Sequence, residues 1–184
     1  MIPTITCQFL GGSDEIGNLA MVLELEDMRF LFDYGMSPGK PPSFPLPPPP
    51  VDLMFLSHSH LDHCGMIPWL CSQANQTILA TEPTAVVSNL LQKDTVKIAQ
   101  MDGYSVPFDN ADVKEAERSF SMVDLGSKQN LGDEYVVRFH SAGHIPGSTM
   151  FELSGPKRLL FTGDLNVVDT RLMKGTKPVP CDIL

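Results

Sequence analysis

The sequence predicts an α+β chain, and three observations predict it. The first part carries short apolar runs broken by Gly, Asp and Pro, the pattern of strands and turns. Later stretches with helical spacing interleave with further apolar runs. The residues with reactive side chains fall at the ends of those runs, where a rigid sheet aims groups carried on loops. At 184 residues the chain suits one domain, 1–184, with a real core.

The elements follow in order. "TITCQFLGG" reads as a strand ending in a Gly-Gly turn, and "GSDEIGN" as a polar loop. "LAMVLELED" and "MRFLFDYG" read as a hairpin bent at Glu26 and Asp27. The segment 37–50 holds eight of the sixteen prolines. It excludes a helix or central strand and is expected as an extended surface loop. "VDLMFLS" is a continuous apolar run suited to a buried strand. "GMIPWLCSQ" reads as a short helix with Pro68 near its start, and "TILAT" as a strand.

Thr81 is placed to cap a long helix, with Pro83 in its first turn. Val87, Leu90, Leu91, Ile98 and Met101 share one stripe of that helix and are expected to face the core. Asp109 is read as the cap of a second helix, "NADVKEAERS". Three strands follow, "EYVVRFHSA", "STMFELSG" and "RLLFTGD". The tail from Leu165 is less regular.

Composition narrows the function. Hydrophobic residues are 42% and charged ones 19%, as in soluble globular chains. "MIPTITCQFLGG" has no basic region followed by a long apolar one, so no export signal is expected. No run is long enough to span a bilayer. The four cysteines include no CxxC pair, which argues against a zinc knuckle or redox motif and suits a reducing cytoplasm. The net charge of −9 offers no basic track for nucleic acid. It leaves room for an enzyme that meets phosphates through divalent cations.

The densest chemistry lies in "SHSHLDHCG", residues 57–65, which hold three of the five histidines. His58 and His60, two apart at a strand end, share one face. Asp62 and His63 lie in the turn that follows and can point back to the same volume. Imidazole nitrogens and carboxylate oxygens suit zinc and similar divalent ions. Two ions about 3.5–4 Å apart need roughly this many ligands, drawn from several loops. His144, in a Gly-Pro-Gly turn, and Asp164, after a strand-end glycine, complete the set. The assignment is His58, His60 and His144 for a first metal, Asp62 and His63 for a second, and Asp164 bridging both. His140, inside a strand run, is read as structural. Asp33, another strand-end carboxylate, is read as a loop cap, with orientation of a histidine ligand as the alternative.

"FDYG", "HSHLDH", "AGHIPGS" and "FTGD", in that order over nearly the whole chain, resemble the metallo-β-lactamase superfamily. The resemblance implies an αββα sandwich with zinc ions at one edge. "FLGGSDEIGN", "HLDHCGMIPWL" and "SAGHIPGSTMFEL" resemble the β-CASP nucleases, chiefly archaeal relatives of the cleavage and polyadenylation specificity endonuclease and more distantly RNase J. That likeness implies a cytoplasmic ribonuclease of RNA processing or decay, with RNA as substrate, two zinc ions holding the attacking hydroxide, and a homodimer. Asp62 is then both ligand and orienter of the nucleophile, and His63 a catalytic ligand.

In that family an inserted β-CASP region follows this stretch, and a returning segment supplies the last histidine of the second metal. Here all five histidines are already placed. The chain is therefore expected to be the N-terminal portion of a longer enzyme, with an incomplete sandwich. Its first metal position is complete, its second is held by Asp62, His63 and Asp164, and its cleavage alone is weak or absent. Two alternatives remain. "GHIPGS" is similar to the turn of glyoxalase II-like thioesterases, although those favour Gly-Gly where this chain has "CGMIP". A non-catalytic scaffold in an RNA-processing assembly is the other, although scaffolds of this fold usually lose metal ligands.

Overall fold

The computed structural model describes residues 4–184. Residues 1–3, which begin the stretch read above as lacking an export signal, lie outside it. Six strands form one sheet: β1 (Ile5–Gly11), β2 (Ala20–Leu25), β3 (Met28–Phe32), β4 (Leu53–Phe55), β5 (Ile78–Ala80) and β6 (Phe120–Met122), in that spatial order. The first three are antiparallel, and β3 to β6 run parallel. A second, antiparallel sheet has the order β10 (Arg158–Phe161), β9 (Thr149–Ser154), β8 (Tyr135–Ser141), β7 (Lys128–Leu131). The helices are α1 (Leu61–Cys64), α2 (Ile67–Gln73), α3 (Glu82–Asp102) and α4 (Asn110–Ser119).

The pleat explains the layers. Along a strand, successive side chains point to opposite faces. Leu31, Met54, Ile78 and Ala80 therefore pack against Ile67 and Leu70 of α2, Val96 of α3 and Val113 of α4. Their neighbours Phe30, Phe32, Phe55 and Leu79 point the other way, onto Val137, Phe139, Phe151 and Leu153 of the second sheet. Strands covered on both faces are apolar throughout, which is why "LMF" and "ILA" show no alternation. Phe32 stacks on Phe55 with ring centres 4.8 Å apart, and Phe161 closes on Phe32 at 4.7 Å. The result is helices, sheet and sheet in three layers. Across the outer face of the second sheet, Val179 and Cys181 pack on Met150 and Leu160, with no helix there among the described residues.

Most expected elements are present, including the turn at Glu26 and Asp27. Asp109 caps α4 in a reciprocal capping box with Asp112. The proline-rich segment 37–50 has no helix or regular strand. Two expectations need correction. The strands β6 and β7 were not anticipated; both are short and mostly exposed, so they lack an apolar signature.

The second correction concerns α3. Most of its apolar stripe faces outward: Leu90 and Met101 are 59% and 75% exposed, Val87 and Ile98 are also exposed, and Leu91 is half-buried. The buried face is Thr84, Ala85, Ser88, Asn89, Gln92, Thr95, Val96 and Ala99. Small and polar side chains let this helix approach α1 and α4 closely. Gln92 donates to the Cys64 carbonyl (2.9 Å), and Asn89 to that of Val113 (3.4 Å). Thr81 precedes α3 with extended backbone but makes no side-chain cap; its hydroxyl is used elsewhere.

Candidate metal centre

The ends of β3 and β4 are neighbours in the parallel part of the sheet, and this adjacency builds the site. β3 runs into Asp33, whose φ is +54°, a conformation Asp tolerates better than most residues. Its buried carboxylate accepts from the Ser57 N–H (2.7 Å), the Ser57 hydroxyl (2.7 Å) and His63 Nδ1 (2.7 Å). The backbone after Asp33 and that before β2 grip α1: the N–H groups of Leu19, Tyr34 and Met36 donate to the carbonyls of Asp62, His63 and Leu61 at 2.9, 2.7 and 2.8 Å. Gly35 is required here, because a Cβ on it would lie 1.7 Å from the Asp62 oxygen.

Two further loops close on this point. The turn bearing His144 is held by Ser148, whose hydroxyl accepts from the His144 and Ile145 N–H groups (both 3.2 Å). The Gly147 carbonyl of the same turn accepts from the hydroxyls of Thr81 (2.8 Å), Thr84 (3.1 Å) and Thr149 (2.9 Å). The start of α3 thus clamps the histidine turn. After β10, Gly163 (φ +50°) passes so near Ser57 that a Cβ would sit 2.6 Å from its hydroxyl. Asp164 is thereby delivered beside the histidines.

Donor atoms of His58, His60, His144 and Asp164 all lie within 4.8 Å of one another. His58 Nε2 is 3.0 Å from His60 Nδ1, and His144 Nε2 is 3.3 Å from the same atom. Asp164 Oδ2 is 3.9 Å from His58 Nε2 and 3.6 Å from His144 Nε2. Ligands about 2.0–2.1 Å from a tetrahedral zinc are separated by about 3.3 Å, so this donor set fits a divalent cation. The other oxygen of Asp164, Oδ1, lies 3.5 Å from His63 Nε2, and Asp62 Oδ2 lies 3.8 Å from that nitrogen. Three donors therefore meet beside the first four, with Asp164 facing both groups.

The electrostatics follow from burial and proximity. Burial alone would lower the His63 pKa, but the charge of Asp33 and the hydrogen bonds His63 donates to Asp164 and Asp33 raise it to about 10. Burial and the neighbouring His63 push His58 well below the ordinary histidine range. A hydrogen bond with His63 holds Asp164 below the usual carboxylate range. Burial lowers His144, partly offset by Asp164. The Cys64 thiol at the end of α1 is pushed by burial to about 12 and is inert.

All six sequence-derived candidates, His58, His60, Asp62, His63, His144 and Asp164, come together here. His140 does not; its Nε2 lies 2.6 Å from Glu152 on the outer face of the second sheet. Asp33 is not the loop cap preferred above. It orients His63, and through the Ser57 hydroxyl (2.9 Å from His58 Nδ1) it also reaches His58. Ser57, Thr81 and Thr84 were missed. Ser57 sits inside the histidine motif, whereas nothing local marks the two threonines.

A histidine-rich cation site at one edge of two packed sheets defines the class. The sequence matches the Metallo-beta-lactamase superfamily over residues 14–179, and the chain belongs to that superfamily. Among curated relatives, Probable RNase MJ4 of Methanocaldococcus jannaschii is 35% identical over 173 residues, covering 91% of this chain and 40% of that one. Transcription termination factor FttA of Lokiarchaeum is 32% identical over 176 residues, covering 90% and 28%. RNase aCSPSF2 of Saccharolobus solfataricus is 32% identical over 173 residues, covering 91% and 34%. The chain thus spans well under half the length of these relatives. An archaeal metallo-beta-lactamase superfamily protein from Sulfolobus tokodaii shares the fold, with a TM-score of 0.55 at 19% identity over 93% of this chain and 68% of that one. Among the described residues, no helix is long and apolar enough to cross a membrane.

Proposed function

We propose that the chain carries the metal centre of a metal-dependent phosphodiester hydrolase that cuts RNA. The observation behind this reading is the convergence of six donor groups, three at one position, two at its neighbour and Asp164 between them, in a chain whose relatives include proteins named RNases. We assign the first position to His58, His60 and His144, the second to Asp62 and His63, and the bridge to Asp164. Zinc is the proposed ion, since nitrogen-rich sets of this kind suit it.

Divalent cations held there would polarise the phosphate and lower the pKa of a bound water toward about 7. The chain's own residues do the positioning. Asp62, close to His63 and partly open to solvent, is placed to accept a proton from the attacking water and orient its lone pair. Asp33 holds the His63 ring so that Nε2 faces the reaction. Addition of water oxygen to phosphorus and loss of the opposite P–O bond then leave a new phosphate end and a hydroxyl end, the hydroxyl taking a proton from solvent. No further histidine of this chain stands near enough to serve as that acid, so slow turnover is expected. The free thiols suit a reducing cytoplasm, where we place the protein.

The test is single-turnover cleavage of an end-labelled RNA by excess zinc-loaded chain, beside Asp62→Asn and His58→Ala. Zinc-dependent cleavage lost in both variants is expected. Cleavage that survives chelation or either substitution would contradict the proposal.

A further inference from the structure

The Ser57 hydroxyl has one proton and two neighbours that compete for it. Its Oγ lies 2.7 Å from Asp33 Oδ2 and 2.9 Å from His58 Nδ1. All three residues are closed to solvent, Asp33 and His58 at 0% exposure and Ser57 at 1%. Bulk water therefore cannot repair a contact that lacks its proton.

Two arrangements compete. In one, Ser57 donates to Asp33 and accepts the Nδ1–H of His58. In the other, Ser57 donates to Nδ1, and the ring carries its proton on Nε2. The buried carboxylate decides between them. An ionised carboxylate can only accept. With the hydroxyl proton turned away, Asp33 Oδ2 would face a lone pair at 2.7 Å and lose a donor, which is costly in a dry interior. Neutral imidazole, in contrast, can carry its proton on either nitrogen. Ser57 therefore donates to Asp33, and His58 is protonated at Nδ1.

His58 Nε2 is then a bare lone pair. That atom lies 3.0 Å from His60 Nδ1 and 3.9 Å from Asp164 Oδ2, inside the donor cluster. The same Asp33 oxygen accepts from His63 Nδ1 (2.7 Å). One carboxylate thus sets a histidine for each metal position, directly in one case and through a serine in the other.

Ser57 is itself held from three sides. Its N–H donates to Asp33 Oδ1 (2.7 Å), and its carbonyl accepts from the Thr149 N–H (2.9 Å). Gly163 closes the third side, where a Cβ would lie 2.6 Å from both the Cβ and the Oγ of Ser57. Thr149 follows the turn that bears His144, and Gly163 precedes Asp164. The serine therefore sits where the loops carrying the first-position donors meet.

We infer that Ser57 is a positioning residue: its hydroxyl, oriented by Asp33, holds His58 as the Nδ1–H tautomer and leaves Nε2 free for a metal ion. The inference rests on the metal centre proposed above and adds how one ligand is kept ready. The hydrogen bond at one ring nitrogen sets which nitrogen is left for the metal. Without the hydroxyl, Nδ1 loses its acceptor, and the ring reverts to the Nε2–H form that neutral imidazole ordinarily prefers. That proton must leave before a cation binds.

The test is long-range proton–nitrogen correlation NMR of the metal-free chain at neutral pH, with nitrogen-15-labelled histidine. It reports the tautomer of each ring. The chain has five histidines, few enough to resolve, and His58→Ala identifies the signals of His58. The Nδ1–H form is expected in the wild type and the Nε2–H form in Ser57→Ala. Zinc titration against a chromophoric chelator is expected to show first-position affinity about 10–100-fold weaker in Ser57→Ala. A proton on His58 Nε2 in the folded wild type would overturn the inference, and that result needs no variant to fold. So would a folded Ser57→Ala chain that keeps the Nδ1–H form or binds zinc as tightly as the wild type. A tautomer that switches in Ser57→Ala, in a chain that holds no zinc, would uphold the role of the serine and count against the metal-centre reading instead.

Discussion

Asp33 and His63, thirty residues apart, are joined by a 2.7 Å hydrogen bond inside the fold, with Asp33 fully buried. The bond turns the outer nitrogen of His63 toward Asp62 and Asp164 and so ties the β3 end to the metal centre. Replacing Asp33 with Ala leaves the Ser57 and His63 donors unmatched, and a broken buried pair of this kind costs about 3–5 kcal/mol. Asp33→Asn keeps the size and part of the bonding. For that variant the expected outcome is a folded chain whose zinc affinity at the second position falls about 10–100-fold. Thermal melts and zinc titration with a chromophoric chelator check both.

The clamp on Gly147 makes a separate prediction. Thr84→Val removes one of three hydroxyls that meet the Gly147 carbonyl, at a cost of about 1 kcal/mol. Thr81→Val/Thr84→Val leaves only Thr149 and is expected to cost more than twice that. The double variant should also loosen the His144 turn, read as weaker zinc binding with His58 and His60 intact.

α3 supplies a stability prediction that reverses the sequence-based expectation. Leu90→Gln and Met101→Gln, on the exposed stripe, are expected to change stability by no more than about 0.5 kcal/mol. Gln92→Ala, which looks harmless in sequence, removes the bond to the Cys64 carbonyl and is expected to cost about 1–3 kcal/mol. Urea melts of the three variants decide it.

Glu152 gives an acid limb to stability. Burial would raise its pKa, but the hydrogen bonds from His140 and Ser154 and the charges of His140 and Arg158 lower it. A depressed carboxylate contributes stability above its unfolded value, about 4.3. That contribution is lost as pH falls through the folded value. Glu152→Gln should therefore narrow the stability difference between about pH 6 and pH 3, measured by thermal melts at constant ionic strength.

The site was legible where its chemistry is local. "HSHLDH" places four donors on one strand end and one turn, and His144 and Asp164 each follow an apolar strand at a glycine-marked turn. What Asp33 does was not legible, because it depends on β3 and β4 lying parallel, which only the assembled sheet decides. The buried face of α3 was hidden for a related reason. Apolar periodicity finds a core-facing stripe only when the contact is apolar, and here Ser88, Asn89 and Gln92 make it through size and hydrogen bonds.

The central claim is that His58, His60, His144 and Asp164 hold a metal ion. The most direct measurement is elemental analysis of purified, zinc-loaded chain after gel filtration, with His58→Ala and Asp164→Ala beside it and far-UV circular dichroism to establish folding. The account predicts at least about one zinc per wild-type chain, lost in both folded variants. A folded wild-type chain that retains no zinc, or variants that retain as much as the wild type, would contradict it.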